Sequence, residues 1–574
     1  MTAQTSPSLK ARLVAVAVEP LTALALGAGY VALLLMTSHS LGYARDEGFY
    51  FQAARSYQAW FELLLQSPEQ AMTRPNVDRF WAANHEHPAL IKSLFALSHY
   101  YLFQKHKILA TAGDAFRFPG MVLSGVAVGV TYLWGARAVS RGAGVVAAVL
   151  LAMMPRVFYH AHLDCFDMPV AAMWLLTTYA FWRSLERGTL FALFVGVLYG
   201  LLLNTKHNSW LLPPALLGWL FIVKGRSLWR GLKVGKVRIP TALFAMGLVG
   251  PLVFYAMWPW IWHDTGKRLG DYVAFHMHHE YYNMEFLGRT YWKPPMSLAY
   301  AWLMTLGTVP AVTLALFLTG LVGSLGLYVR THLRRPWQWL LARVGRVVEL
   351  SRMTRADRSR ISTDVMWLLC ILTSYAPWLS KGTPIFGGTK HWITAYPFLC
   401  LFAARGFFAL VQAAQRKLPR ASAAGGGIPL RTGLMMSVVA APIVTTLQSH
   451  PWGLSAYTPL VGGASGAATL GLNRTFWGYT TGAVAPYLNE HVPPGTGVYV
   501  HDTAMQSWEQ MVQDGMLDHV RGSWTIESSG FSVYHYEPHM GRVEYQIWVD
   551  YGTTSPVHVG THDGVPVIWV YKRP

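Results

Sequence analysis

Long apolar runs constrain this chain more than any other feature. They lie near 14–37, 117–137, 142–159, 168–184, 189–205, 208–223, 239–258, 296–328, 362–379, 392–411 and 432–449. Hydrocarbon cannot hydrogen-bond a peptide group, so a segment at home in lipid must make all its backbone bonds internally, as helices do. Several runs fall at or below the roughly 20 residues needed to cross a bilayer. The run 296–328 is longer than one crossing requires. Composition agrees: 53% of residues are hydrophobic and only 13% charged, about half the charge of a soluble protein. These runs predict a polytopic α-helical membrane protein with about 11 transmembrane helices.

The formal net charge of +19 would suggest nucleic acid in a soluble protein. Here most of the excess sits in short loops between apolar runs, the pattern of cytoplasmic loops, so nucleic-acid binding is discounted. One loop holds Lys224, Arg226, Arg230, Lys233, Lys236 and Arg238, with no acid among them. A second holds Arg330, Arg334, Arg335, Arg343, Arg346, Arg352, Arg355, Arg358 and Arg360, and a third Arg416, Lys417 and Arg420. With these three loops and the Lys10–Arg12 end inside, counting spans puts 39–116, 160–167, 204–208, 259–295 and 380–391 outside. The apolar stretch 88–104 would break that parity if it crossed. It contains Lys92, His99 and the Tyr100–Tyr101 pair and is expected to lie in the interface. Cys165, Cys370 and Cys400 form no metal motif and imply no disulfide framework.

From 450 to 574 the pattern changes. Short β-branched and aromatic runs, Val498–His501 and Val565–Tyr571, alternate with helical stretches near 476–490 and 503–515. This predicts a small C-terminal α/β domain on the exterior side, following a membrane domain at 1–449. It carries no catalytic motif. Ala421–Ile428 reads as a linker between spans.

Polar residues cluster on the exterior face. Asp46 and Glu47 directly follow the first span. Taken alone, such a pair reads most simply as the acidic start of an interfacial helix. The same loop holds His85, Glu86, His87, Pro88 and Lys92. His85 and His87 have a spacing compatible with a metal, and Lys92 with an anion. Asp167, before Pro169, reads as a helix cap or as a functional carboxylate. Arg117, Lys206, Lys390 and His391 all stand at exterior ends of spans, and His276 and Glu280 are one helical turn apart. Carboxylates and cations converging on one face suit transfer of a group from a phosphate-linked lipid. A carboxylate takes the acceptor's proton and cations neutralise the departing phosphate.

These segments, in this order, resemble the GT-C glycosyltransferases of the protein O-mannosyltransferase type, including the bacterial aminoarabinose transferases (glycosyltransferase family 39-like). Those enzymes have an Asp-Glu pair after the first span, matched by Asp46-Glu47. Their His-Pro-Pro-Leu-Gly-Lys segment is matched by His87, Pro88, Ala89, Leu90, Ile91 and Lys92, with the second Pro and the Gly replaced. A Leu-Asp is matched by Phe166-Asp167, and a Gly-rich span ending in Thr-Lys by Gly196, Gly200, Thr205 and Lys206. The later Arg-Tyr…Pro pattern is matched less well, by Lys390, His391 and Pro397. Further matches are His450-Pro451 with the Gly-rich segment after it, and Phe476-Trp477-Gly478.

The resemblance implies a GT-C fold and inverting transfer from a polyprenyl-phosphate sugar to a protein hydroxyl or glycolipid on the periplasmic or exterior face of a bacterial inner membrane. Asp46 would be the general base and Glu47 its support. Lys92, Arg117 and Lys206 would surround the donor phosphate, with His87, Lys390 and His391 also in the site, and Asp167 would position the sugar or those cations. No metal or other cofactor is expected. A transporter or flippase of lipid-linked saccharides is the alternative. It would place ionisable groups near the midplane, whereas this sequence puts them at one face. A relative that binds without catalysing stands as a third reading, against which intact Asp46 argues.

Overall fold

The computed structural model describes residues 9–234, 239–332, 354–385, 387–417 and 429–574. Lys236, Arg238, Arg334, Arg335, Arg343, Arg346, Arg352, Arg420 and the 421–428 linker lie outside the described residues, as do the side chains of Lys10 and Arg12.

All eleven apolar runs fall on helices. In chain order the main helices are α1 (Leu9–Thr37), α2 (Arg45–Gln66), α3 (Leu90–Ser98), α4 (Ala112–Ala138), α5 (Arg141–Ala152), α6 (Pro155–His162), α7 (Asp167–Ser184), α8 (Thr189–Leu203), α9 (Leu212–Lys233), α10 (Thr241–Ala256), α11 (Thr265–Met277), α12 (Tyr300–Thr308), α13 (Ala311–His332), α14 (Arg355–Tyr375), α15 (Tyr396–Lys417) and α16 (Leu430–Ser449). Among the described residues six helices are long and apolar enough to cross a membrane, or seven if α5 and α6, bent by 69°, form one broken span. The expected number of about 11 is not reached by that measure, because helices such as α8 and α10 are apolar but short.

Local chemistry sets the boundaries. Thr111 caps α4 by accepting the Asp114 N–H at 3.1 Å, and Ser140 caps α5 by accepting from Ala143 at 3.2 Å. The run 296–328 is divided at Val309–Pro310, between α12 and α13, because proline cannot donate the next helical bond. Bundle packing uses small residues. Gly406 on α15 sits so close to α13 that an added Cβ would meet the Leu316 carbonyl oxygen at 2.1 Å. Outward faces stay apolar: Leu24, Phe221, Leu248 and Val322 are each about two-thirds exposed (66–69%). Such an exterior fits hydrocarbon and not water.

The 88–104 stretch is helix α3 continued by a π-helical turn, His99–Lys105. It is not among the helices long and apolar enough to span. It packs inward, with His99 stacked on Phe116 at 4.2 Å.

The C-terminal region carries a five-stranded mixed sheet. Its strands are β3 (Gly497–Val500), β4 (Arg521–Ser523), β5 (Phe531–His535), β6 (His558–His562) and β7 (Val565–Lys572), in the order β4-β3-β5-β7-β6; an earlier hairpin, β1 (Met284–Phe286) and β2 (Arg289–Tyr291), lies apart. β3 runs parallel to β4 and β5, while β7 is antiparallel to β5 and β6. Asp563 and Gly564, both at positive φ, make the two-residue turn between β6 and β7. Helices α17 (Met505–Gln513) and α18 (Gly541–Tyr551) complete the domain.

This domain is docked on the start of α2. Asp514 accepts the Tyr43 hydroxyl at 2.6 Å and the Ala112 and Gly113 N–H groups at 3.0 Å. Ser507 donates to the Ala44 carbonyl at 2.8 Å.

Candidate functional site

Asp46 and Glu47 occupy the first turn of α2, where carboxylates complement the positive end of the helix dipole. Being adjacent on a helix, they face different directions. Glu47 turns inward and is 1% exposed. Its Oε1 and Oε2 take the Arg117 Nε and Nη2 at 2.7 and 2.8 Å. The same oxygens accept the Asp164 N–H at 3.0 Å and the Ala44 N–H at 2.9 Å. Arg117 also donates to the Leu41 and Gly42 carbonyls and lies over the Tyr43 ring. The pair thus ties α2, α4 and the 163–166 turn into one unit.

Asp46 turns outward and lines a cavity of about 410 Å³, together with Arg45, Glu86, His87, Lys390, Trp477 and Asp502. Its Oδ2 lies 3.5 Å from the Lys390 Nζ, and Lys390 lies over the Trp477 ring, 4.1 Å from its centre. Trp477 also accepts the Arg45 N–H through its carbonyl at 2.8 Å, so it contacts residues on both sides of Asp46. Two glycines allow this. Gly387, at φ +72°, lies flat against the Trp477 ring, which an added Cβ would meet at 2.1 Å. Gly478, at φ +60°, lets the chain pass the Asp502 carbonyl, which a Cβ would meet at 2.3 Å.

Of the residues singled out from sequence, Asp46, Glu86, His87 and Lys390 share this wall; Glu47, Lys92, Arg117, Asp167, Lys206 and His391 do not line it. Lys92 reaches back from α3 to the Asn84 and His87 carbonyls and lies over the Tyr57 ring. It therefore fixes the turn that presents His87. Burial pushes its amine down to about 7, with Glu86 opposing. Burial, reinforced by Lys92 and Lys206, also keeps His87 well below the usual histidine range. Lys206 pairs with Asp167 at 2.6 Å, and the other Asp167 oxygen accepts from Cys165 at 3.2 Å and lies 3.7 Å from His160. His391 packs on Trp378, with ring centres 4.5 Å apart.

Sequence reasoning missed Arg45, Asp502, Glu537 and His539. Arg45 pairs with Asp502. His539 bridges Glu285 at 3.2 Å and Glu537 at 3.4 Å. Burial, and then the neighbouring Asp502, hold the Glu537 carboxyl well above the usual range. The C-terminal domain, which shows no motif of its own, thus supplies part of the wall. The one signal nearby was Phe476-Trp477-Gly478.

Among the described residues no three His, Cys, Asp or Glu side chains are placed to hold a metal. His85 turns from His87 towards the Ala82 carbonyl. His276 contacts the Glu86 carbonyl at 2.9 Å and stacks on His207.

Residues 97–258 match the family model described as dolichyl-phosphate-mannose-protein mannosyltransferase. The match bears out the resemblance to GT-C glycosyltransferases of the protein O-mannosyltransferase type. It includes Arg117, Asp167 and Lys206 and excludes Asp46 and Lys390. No curated protein shows significant sequence similarity to the chain. Among solved structures, ArnT from Cupriavidus metallidurans bound to undecaprenyl phosphate is 14% identical, with a TM-score of 0.45 over 95% of this chain and 97% of that one. The oligosaccharyltransferase AglB from Archaeoglobus fulgidus, in complex with an inhibitory peptide and a dolichol-phosphate, is 10% identical, with a TM-score of 0.45 over 92% of this chain and 71% of that one.

Proposed function

We propose that this protein is a multi-pass glycosyltransferase that moves a sugar from a polyprenyl-phosphate donor to a hydroxyl acceptor, on a protein or a glycolipid, at the exterior face of a bacterial inner membrane. The observation that carries the reading is the placement of Asp46. It is a partly exposed carboxylate on the wall of a cavity of about 410 Å³, 3.5 Å from the Lys390 amine, in a chain otherwise built for lipid. The family match over 97–258 supports the same reaction class.

Asp46 takes the acceptor proton as the acceptor oxygen attacks the anomeric carbon. The bond from that carbon to the phosphate oxygen breaks, and the sugar is inverted. Lys390 receives the developing phosphate charge. Arg117 and Lys206, each neutralised by its own carboxylate, and Lys92, bound to carbonyls, hold the wall from behind. Glu47 keeps the first turn of α2 in place.

The test uses purified protein, radiolabelled polyprenyl-phosphate mannose and membrane extract as acceptor, followed by a screen of other donor sugars. Asp46→Asn is expected to lower transfer about 10²- to 10⁴-fold, the usual worth of a general base. Equal transfer by both forms would remove Asp46 from the chemistry.

A flippase reading has one observation in its favour. Asp364 and Arg405 form a buried ion pair at 2.9 Å, midway along α14 and α15. Movement of labelled lipid-linked sugar across sealed vesicles, without transfer, would establish it.

A further inference from the structure

We infer that Asp502, from the C-terminal sheet domain, is a positioning residue for Asp46: it holds the Arg45 guanidinium off the Asp46 carboxylate. The inference rests on the reading of Asp46 as the base.

Arg45 is flanked by two carboxylates that compete for its charge. Its Nη1 lies 2.5 Å from Asp502 Oδ1, while its Nε stands 3.8 Å from Asp46 Oδ1. The competition is uneven. The Asp502 side chain is 3% exposed, and that of Asp46 is 26% exposed. A buried carboxylate needs the cation more than one that water reaches. Asp502 is itself fixed. It follows β3 at φ +54°, its carbonyl abuts Gly478, and its domain is locked to the start of α2 by Asp514 and Ser507. A base made to carry a full guanidinium pair would be a poor one. The C-terminal domain draws that partner back to 3.8 Å and leaves Asp46 the 3.5 Å Lys390 contact, which the departing phosphate can claim.

The groups facing Asp46 are Lys390 and Arg45, with Tyr50, Cys165 and Lys206 further off. Those acting on Arg45 are Asp502, Asp46, Glu537 and Tyr282. In Asp502→Asn the guanidinium loses its charged anchor and is free to close on Asp46 to about 2.8 Å, an ordinary charge-assisted distance. Coulomb's law, from water-like screening to an effective dielectric of about 20, converts that approach into a fall of about 0.3 to 1 unit in the pH at which Asp46 gains its proton.

The test needs no donor. A hydrophobic carbodiimide reacts with protonated carboxyls. Its labelling of Asp46 in the full-length detergent-solubilised protein is followed across pH by peptide mass spectrometry. Asp502→Asn is expected to move the labelling midpoint down by about 0.3 to 1 unit. Arg45→Gln, which removes the competitor, is expected to move it up, and the double variant to stay above wild type. Asp502→Glu should keep the wild-type midpoint. An unmoved midpoint in Asp502→Asn would overturn the inference. Should Asp502→Asn misfold, Arg45→Gln decides: a midpoint at or below wild type overturns it. A wild-type protein that labels as expected but transfers no sugar would count against the glycosyltransferase reading alone.

Discussion

Replacing Glu47 by Gln, Arg117 by Gln, and then both, would separate the scaffold of this site from its chemistry. Both side chains are 1% exposed and meet through two charge-assisted contacts of 2.7 and 2.8 Å. Breaking a buried pair from one side commonly costs about 3–5 kcal/mol, because the survivor is left charged and dry. Here each survivor keeps two backbone partners. Glu47 retains the Ala44 and Asp164 N–H groups, and Arg117 the Leu41 and Gly42 carbonyls. Each single change should therefore sit near the lower end, about 3 kcal/mol. The double variant leaves two neutral amides facing the same backbone groups. It should cost about 3–4 kcal/mol, well short of the sum, which gives a coupling of about 2–3 kcal/mol. Unfolding of the four proteins in detergent, followed by tryptophan fluorescence against denaturant, measures this. A double variant as unstable as the two singles added together would show that the pair does not act as a unit.

Two further outcomes are expected. Burial places Lys92 at about 7, below the unfolded value of about 10.4. The folded state then binds fewer protons than the unfolded one between these values, so stability should rise with pH across that window, by at most about 1.4 kcal/mol per unit. Lys92→Met should flatten the rise in denaturation curves at pH 7 to 10; an unchanged slope would mean that the amine stays charged. For topology, Ile108, 66% exposed just past the π-helical turn, should as Ile108→Cys react with an impermeant thiol reagent on whole cells, given that Cys165, Cys370 and Cys400 are all buried. Protection from outside would place 88–104 across the membrane.

The helices were legible because each is a contiguous chemical event. A run such as 189–205 is apolar along its length whatever it packs against, and α8 is found there. Asp46 and Glu47 were legible as a pair, since both follow the first span. Their separation into an exposed and a buried carboxylate depends on Arg117, 70 residues away, which no local pattern reveals. Lys92 illustrates a different limit. Its sequence position suggested an amine facing an anion, yet the side chain folds back onto the carbonyls of its own turn. Asp167 was linked to Lys206 only through the resemblance, as a carboxylate that would position the sugar or the cations; no local pattern reveals which cation it meets, 39 residues away. Asp502 and Glu537 gave no signal, because their place at the cavity comes from domain docking and not from a motif.

The latch by which Asp514 grips Tyr43, Ala112 and Gly113 also orders events during synthesis. The start of α2 is made early, directly after the first span, while its clasp lies in the last tenth or so of the chain. At a translation rate of about 5–20 residues per second, the wall around Asp46 stays unfinished for about 25–100 s after Asp46 itself is made. A nascent chain stalled short of that point would hold its helices in the bilayer without an assembled pocket. Lipid-linked sugar would thus be guarded from half-built enzyme by the order of the chain itself.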